Sequence, residues 1–356
     1  MGVEQLPWLL YGCYGYSGEL IVEEAIKKGL KPILAGRSAQ RTKALAYKYQ
    51  LPFRVFGLSD QQEIERNIKD CFLVYNAAGP YTSTCIPLLG ACLETGTHNL
   101  SLVGEIPLLE ELLDYDDAAK SAGIILAVGL GFDVHPTDCI AATLKEIMPD
   151  ATHLTIGIDG STEMSPGSLK EFIEQMGEQP FWVREQGKLI ESSPKTAEMD
   201  FGNGSKFAMT IAWGDTASAY HSTGIPNIDI YAAVNRFDWL LMRFMTYCKP
   251  VFKIKRVQHF ANRCIDKFAS GPNEKLREKD ITYLSGEVSN KAGDKIRLKY
   301  TVPSAYKITY LSAVYAIEAV LKSKQEKSGY FTPSQLLGAS SILEIEGVSD
   351  FEFETL

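Results

Sequence analysis

Short apolar runs recur along the first 130 positions, and each is followed by a longer stretch in which apolar residues return every three or four places. The runs Trp8–Tyr11, Pro32–Ala35, Phe53–Gly57, Phe72–Ala77, Thr97–Leu102 and Ile124–Val128 predict β-strands. The stretches Glu19–Lys28, Ala39–Tyr49, Asp60–Lys69, Thr84–Thr95 and Ile106–Ser121 predict amphipathic helices. Apolar strands alternating with helices imply a parallel sheet covered on both faces and joined by right-handed crossovers. Beyond Pro149 the period changes. His153–Asp159, Lys206–Ala212, Asn227–Val234, Ile281–Ser289 and Lys295–Thr301 alternate apolar with polar, as half-buried antiparallel strands do, while Ser161–Arg184 and Ile308–Lys322 keep a helical period. From Gly329 the pattern reads as a helix and a closing strand.

The first strand runs straight into Gly12-Cys13-Tyr14-Gly15-Tyr16-Ser17-Gly18 and then into a helical pattern. A strand that enters a helix this way leaves first-turn amides pointing outward with a positive partial charge, which suits a pyrophosphate. The first glycine permits the tight turn, the second a close approach of backbone to phosphate, and the third close packing of helix on strand. The expected ligand is a dinucleotide. The fold class expected is therefore α/β: an N-terminal Rossmann doubly wound parallel sheet (1–148), with a second α+β domain built on a mixed or antiparallel sheet for substrate and dimerisation (149–328). The segment 329–356 is expected to pack back on the first domain.

The end of the second strand bears on which dinucleotide. An Asp or Glu about 20 residues past the glycines would bond both ribose hydroxyls of NAD. This chain has Ala35-Gly36-Arg37-Ser38-Ala39-Gln40-Arg41, without an acid. Arg37 and Arg41, one helical turn apart, offer guanidinium donors, and Ser38 a hydroxyl at a helix start, a set that favours the 2′-phosphate of NADP. The alternative is that these arginines are solvated charges at a helix start.

In a doubly wound sheet the ligand lies beyond the carboxyl ends of the strands. Three loops occupy that place: Asn76-Ala77-Ala78-Gly79-Pro80-Tyr81, Val103-Gly104-Glu105, and Gly129 to Asp138. Ala78, Gly79 and Pro80 are small enough for a nicotinamide ribose to lie on the backbone. Tyr81, Glu105, Asp133 and His135 are the acid–base candidates, since a proton must accompany hydride transfer. Each has a plainer role open to it: Tyr81 stacking beneath a cofactor, Glu105 and Asp133 capping helices, His135 capping or packing the helix that follows. None of the 17 tyrosines has a lysine four residues on, which argues against short-chain dehydrogenase chemistry.

Composition narrows the classes. A net charge of −8 in 356 residues argues against a general nucleic-acid binder. The seven cysteines are scattered, without C-x-x-C spacing, and the five histidines show no metal-ligand spacing, so reduced thiols and no metal are expected. No signal-like segment precedes the first strand and no apolar run of about 20 residues appears, so a cytoplasmic protein is expected. One stretch departs from the acidic average. Residues 236–256 carry Arg236, Arg243, Lys249, Lys253, Lys255 and Arg256 against the single acid Asp238, interleaved with aromatics. Such a segment suits peripheral contact with an anionic membrane or an acyl chain, or a buried helix with snorkelling ends.

Taken in order, Tyr-Gly-Cys-Tyr-Gly-Tyr-Ser-Gly, Ala-Gly-Arg-Ser, Gly-Pro-Tyr, Gly-Glu and Gly-Phe-Asp-Val-His-Pro-Thr-Asp resemble the saccharopine dehydrogenase-like oxidoreductases. Within that group the chain is similar to the trans-acting enoyl reductase branch, and Gly329-Tyr-Phe-Thr-Pro-Ser resembles a Thr-Pro segment near that branch's C-terminus. The resemblance implies an NADP-binding Rossmann domain, a mixed second domain and a reductase. It carries over best at Gly12, Gly15, Gly18, Arg37 and Ser38, whereas the family often has a small residue where His135 stands. The function expected is transfer of hydride from NADPH to a C=C or C=N bond of a small-molecule or acyl, lipid-like substrate, by a protein that is a homodimer through its second domain. The alternatives are an NADP-binding sensor or membrane-surface scaffold without turnover, and a saccharopine-forming or saccharopine-cleaving enzyme, for which the second domain shows no evident carboxylate-binding set.

Overall fold

The computed structural model describes residues 6–160, 182–237, 239–240, 254–268, 279–323 and 327–356. They fall into two compact units, one of Met1–Cys139 with Ile308–Glu346 and one of Ile140–Lys307 with Gly347–Leu356.

The first unit alternates as the sequence pattern requires: β1 (Trp8–Tyr11), α1 (Tyr16–Lys27), β2 (Ile33–Gly36), α2 (Ala39–Tyr49), β3 (Phe53–Val55), α3 (Gln61–Ile68), β4 (Leu73–Asn76), α4 (Tyr81–Thr95), β5 (His98–Ser101), α5 (Ile106–Leu113), α6 (Asp116–Ala122) and β6 (Ile125–Ala127), followed by α7 from His135. Across the sheet the order is Gly329–Phe331, β6, β5, β4, β1, β2, β3, with every pair parallel. Chain order reverses at β1, where Tyr11 lies in register with Ala35 on one side and Asn76 on the other. Trp8, Leu9, Leu10, Leu34, Leu73, Val74 and Tyr75 are fully buried, the two-sided burial that makes parallel strands apolar throughout.

Several boundaries differ from the sequence expectation, each for a local reason. The helix α1 starts at Tyr16, three residues before Glu19, because the glycine turn ends at Gly15, an extended N-cap (φ −72°, ψ 165°) directly behind which helical backbone begins. The helix α4 likewise starts at Tyr81 rather than Thr84, behind Pro80. The single helix predicted over Ile106–Ser121 is two, interrupted at Tyr115 (φ −90°, ψ 4°), after which Asp116 and Asp117 favour a fresh N-terminus.

The second unit is built on a nine-stranded sheet. Its main path runs Thr196–Asp200, Ser205–Thr210, Asn227–Ala233, His153–Asp159, Ile281–Ser289, Lys295–Pro303, Ser349–Thr355, and the hairpin Trp182–Glu185 with Lys188–Glu191 pairs beside Asn227–Ala233. Only the pairing of Asn227–Ala233 with His153–Asp159 is parallel among the described strands. Along Lys295–Pro303, Ile296, Leu298, Tyr300 and Val302 face one side, and Lys295, Arg297 and Lys299 the other. Lys299 is 4% exposed, and three carboxylates surround it: Asp200 and Glu352 at 3.0 Å and Glu354 at 2.9 Å. Their charges let a lysine stay ionised in a sheet interior.

The expectations for the C-terminal third need correction. The helix Ala305–Lys322 belongs almost wholly to the first unit, since Ile308, Tyr310, Leu311, Ala313, Val314 and Ile317 are all buried and need cover on several sides. The final segment divides: Gly329–Phe331 joins the first sheet beside β6, and Ser349–Thr355 forms an edge of the second. The helix predicted over Ser161–Arg184 lies outside the described residues up to 181, and Trp182–Glu185 is a strand. Short strands such as Lys188–Glu191 and Thr196–Asp200 were not read from the sequence because they are half-exposed and mostly polar. Most of the basic segment 236–256 also lies outside the described residues. Of its flanks, Phe237 is 74% and Leu240 56% exposed. No helix among the described residues is long and apolar enough to cross a membrane.

One close approach in the second unit is testable. A Cβ on Gly286 would stand 2.1 Å from Cγ2 of Ile140 and 3.0 Å from Leu144, so the strand Ile281–Ser289 accepts the helix only where it has no side chain. Gly286→Ala is expected to lower stability by about 1–3 kcal/mol through overpacking. Thermal unfolding of the variant beside the parent measures it, and an unchanged midpoint would refute the close packing.

Candidate functional site

The turn after β1 is shaped by what surrounds Gly12. Its φ of +85° is left-handed, and a Cβ there would meet the Ala77 and Ala78 backbone at 2.8 Å. A Cβ on Gly18 would stand 2.2 Å from the Gly12 carbonyl oxygen, so the first helical turn rests directly on the loop. The loop's own amides are committed. Gly12 and Cys13 donate to Ala35 O at 2.9 and 3.3 Å, and Gly15 donates to Gly12 O at 2.9 Å. Gly15 is the N-cap of α1, with no side chain to cap the helix, and the first amide bonded back along the helix from this cap is Glu19 N to Gly15 O at 2.9 Å. The first turn of α1, beginning at Tyr16, takes no side-chain cap from Gly15 and starts where any larger residue at 12 or 18 would collide with backbone, the setting in which a helix start can accept an anion. The residues present fit a pyrophosphate. Cys13 takes no part through its thiol, which is fully buried and pushed up to about 12 by that burial.

At the end of β2, Arg37 and Arg41 are exposed and no carboxylate lies between them. Ser38 is the N-cap of α2, its Oγ accepting from Arg41 N at 3.4 Å. Tyr14 reaches across to this corner. Its hydroxyl accepts from Ser38 N at 3.1 Å, its carbonyl accepts from Arg41 Nη2 at 2.9 Å, and the Arg41 guanidinium lies 4.4 Å from its ring centroid. A Cβ on Gly36 would stand 2.4 Å from the Tyr14 ring, so Gly36 is the seat of that ring.

The loops after β4, β5 and β6 are joined by buried hydrogen bonds. Asn76, 1% exposed, accepts from Ala78 N through Oδ1 at 3.0 Å and donates to Thr84 Oγ1 at 3.2 Å, while Thr84 donates to Ala78 O at 2.6 Å. This fixes Ala78 and leaves Gly79 and Pro80 exposed at the tip. Tyr75 donates to Leu130 O at 2.8 Å, and Leu130 N donates to Ser101 O at 3.1 Å, tying the third loop to the other two.

These ties bring Tyr81, Glu105 and Asp133 to one place. The Glu105 carboxylate accepts from Gly104 N at 3.2 Å and from the Tyr81 backbone amide at the start of α4, so it caps that helix from another loop. A Cβ on Gly104 would stand 2.9 Å from Asp133 Cβ, a contact that only a glycine allows. Asp133 is exposed, and the protein packed against its carboxyl on the inner side shifts it upward, to about 6. The same effect, with Asp133 nearby, raises Glu105 to about 7 against the pull of its amide donors. Both groups therefore hold protons at far higher pH than ordinary carboxylates.

His135 is not part of this group, and the expectation of a catalytic role for it is corrected. It is fully buried at the start of α7. Its Nε2 lies 3.0 Å from Ser341 Oγ, and burial lowers its pKa to about 3. A neutral imidazole enclosed by the C-terminal segment meets no ligand. Nearby Asp138, also fully buried, accepts from Ser334 N at 2.8 Å, so the Thr-Pro segment is tied to the same helix start. The pH dependence follows. His135 binds a proton near pH 6.5 when unfolded and only near 3 when folded, so its contribution to stability is complete above 6.5 and is lost as pH falls toward 3. In His135→Gln the stability-against-pH slope between 4 and 6 should differ from the parent's by about 1.4 kcal/mol per unit. Denaturant titration at several pH values reads this, and parallel curves would mean that His135 is not neutral and enclosed.

No family model matches the chain. Trans-acting enoyl reductases of Mycobacterium ulcerans and Mycobacterium leprae are 30% identical over 138 residues and 34% over 155, covering 36% and 40% of this chain and 33% and 37% of theirs. The human saccharopine dehydrogenase-like oxidoreductase is 25% identical over 160 residues, 39% of this chain and 37% of its own. The chain thus spans little more than a third of the curated relatives it matches. Apo saccharopine dehydrogenase (L-Glu forming) of Saccharomyces cerevisiae superposes with a TM-score of 0.64 over 99% of this chain and 100% of that one, at 12% identity. The resemblance read from the motifs holds: the chain has the saccharopine dehydrogenase fold, and the sequences it resembles are oxidoreductases of that kind.

Proposed function

We propose that this protein is an NADP(H)-dependent oxidoreductase that reduces a C=C or C=N bond of an organic, acyl-type substrate. The observation that carries the reading is the uncapped α1 start behind Gly12, Gly15 and Gly18, joined to an acid-free β2 end with Arg37, Ser38 and Arg41. The glycine turn and the first turn of α1 hold the pyrophosphate. Arg37 and Arg41 meet the 2′-phosphate, where a carboxylate would repel it. Ala78, Gly79 and Pro80 present backbone to the nicotinamide ribose. When bound, the nicotinamide supplies the hydride.

The chain's own task is then the proton. Among the three grouped candidates Asp133 is the best donor, because it touches solvent and is protonated below about pH 6, whereas Glu105 spends its oxygens on the amides of Gly104 and Tyr81. Tyr81 meets this corner through its backbone amide, which donates to Glu105. The exposed Phe237, Leu240, Ile254 and Phe260, close in sequence to Arg236, Lys255 and Arg256, favour an acyl or membrane-associated substrate over a small polar one.

Two measurements test the reading. In fluorescence titrations NADPH should bind more tightly than NADH, and Arg37→Ala should cost NADPH about 10- to 100-fold while sparing NADH, the loss of one charged contact to phosphate. Equal affinities in the parent would overturn the cofactor assignment. With an α,β-unsaturated thioester or a cyclic imine as substrate, NADPH consumption should be flat at low pH and fall as pH rises through about 6, since the donor must be protonated. Asp133→Asn should lower kcat about 100-fold with NADPH affinity unchanged. Full turnover in that variant would remove Asp133 from the proton path.

A further inference from the structure

The corner at the end of β2 holds one element that the cofactor motifs do not explain, the side chain of Tyr14. Its surroundings are unusual for a residue in a phosphate loop. The ring fills the space above Gly36 that any other residue's Cβ would claim, at 2.4 Å. Its hydroxyl oxygen takes the Ser38 amide proton at 3.1 Å, its ring stacks with the Arg41 guanidinium at 4.4 Å, and its carbonyl binds the same guanidinium at 2.9 Å. A phenol has one proton to give and lone pairs to receive. Here the oxygen is already receiving from Ser38, so a hydrogen bond that Tyr14 gives must go to something else, and Arg37, Ser38 and Arg41 are all donors as well. The acceptors at this corner, the Tyr14 carbonyl and hydroxyl oxygens and Ser38 Oγ, already receive from Arg41 and Ser38. The exposed guanidiniums of Arg37 and Arg41 and the hydroxyl protons of Tyr14 and Ser38 form a donor set complementary to a phosphate dianion.

We propose that Tyr14 is a specificity-determining residue for a 2′-phosphate: it donates its hydroxyl proton to that group and holds the Arg41 guanidinium and the Ser38 amide in position around it. The inference rests on the cofactor reading above but adds a separate claim, that the preference depends on the glycine loop itself and not on the two arginines alone. Arg41 is long and exposed, and by itself would lose rotamer freedom on meeting a phosphate. Stacked on Tyr14 and bonded to its carbonyl, it has lost much of that freedom beforehand, so less affinity is spent on ordering it. Gly36 then has a purpose too. It contacts no ligand in this scheme, yet its lack of a side chain lets the ring reach Ser38 and Arg41.

The test uses the whole protein and two probes that differ by one phosphate, adenosine 2′,5′-bisphosphate and adenosine 5′-monophosphate, with dissociation constants from calorimetry. In the parent the bisphosphate should bind more tightly. Tyr14→Phe keeps the ring and its stacking but removes the hydroxyl, and should reduce the ratio of the two affinities about 10-fold, leaving the monophosphate unchanged. Gly36→Ala, which displaces the ring without touching a ligand, should reduce the same ratio. Unliganded unfolding temperatures check that both variants are folded. If Tyr14→Phe keeps the full ratio, or weakens both probes equally, the role assigned to Tyr14 is wrong while the arginine-based cofactor reading stands. A parent that does not distinguish the probes would overturn that cofactor reading and this inference with it.

Discussion

The backbone at the end of β4 passes so close to the turn after β1 that position 12 has room for no side chain. Ala77 and Ala78 stand 2.8 Å from where its Cβ would be, and the Gly12 carbonyl in turn supports the start of α1 through Gly18. This three-way contact joins the phosphate turn, the first helix and the small-residue loop after β4. The loop is held from its other side by the Asn76 and Thr84 side chains, and through Tyr75 and Leu130 the constraint extends to the loops after β5 and β6. The site is thus set by backbone proximity and buried hydrogen bonds between strand ends. On the proposed reading, such a frame leaves the exposed side chains at 37, 41 and 133 to carry chemistry without also carrying the fold.

Much of this was legible in the sequence, because its causes are local. Strand positions follow from apolar runs buried on both faces, and the glycine spacing states directly where backbone meets backbone. The helices start earlier than the pattern predicts because a turn of glycine and aromatic residues has no hydrophobic period, although helical backbone begins directly behind the extended N-caps Gly15 and Pro80. The second sheet was recovered only where alternation was strong. Lys188–Glu191 and Thr196–Asp200 are half-exposed, so no face imposed a pattern on them. The C-terminal pieces were misassigned because their partners are distant in sequence: Gly329 pairs with Ile125, and Leu298 with Phe353.

The candidate side chains divide in the same way. The expectation for His135 came from its place after β6, but what decides its state is Ser341, 206 residues away, and complete enclosure. Proximity in sequence to a strand end does not tell which way a helix turns its first residue. For Glu105 both readings were open, and its bonds to the Gly104 and Tyr81 amides show the capping role. Tyr14 had a signal that went unused. Gly36, the last residue of β2, faces a loop that carries an aromatic residue and marks where a ring can lie.

The two ends of the strand-end surface differ in a way that bears on how a dinucleotide would be oriented. At the β2 end the exposed groups are guanidinium, amide and hydroxyl, with no carboxylate between Arg37 and Arg41. At the β5 and β6 ends lie two carboxyls, the half-buried Glu105 and the exposed Asp133, whose surroundings favour the neutral form. A phosphate placed at the second end would push those carboxyls further toward protonation and gain no cation. At the first end it gains two. The preference for one orientation therefore comes from charge before any contact with the nicotinamide is considered. That orientation would, on the proposed reading, set the hydride-bearing ring beside Glu105 and Asp133, whose carboxyls are shifted upward. On the proposed reading, the arginines that select the cofactor also decide which end of it meets Asp133.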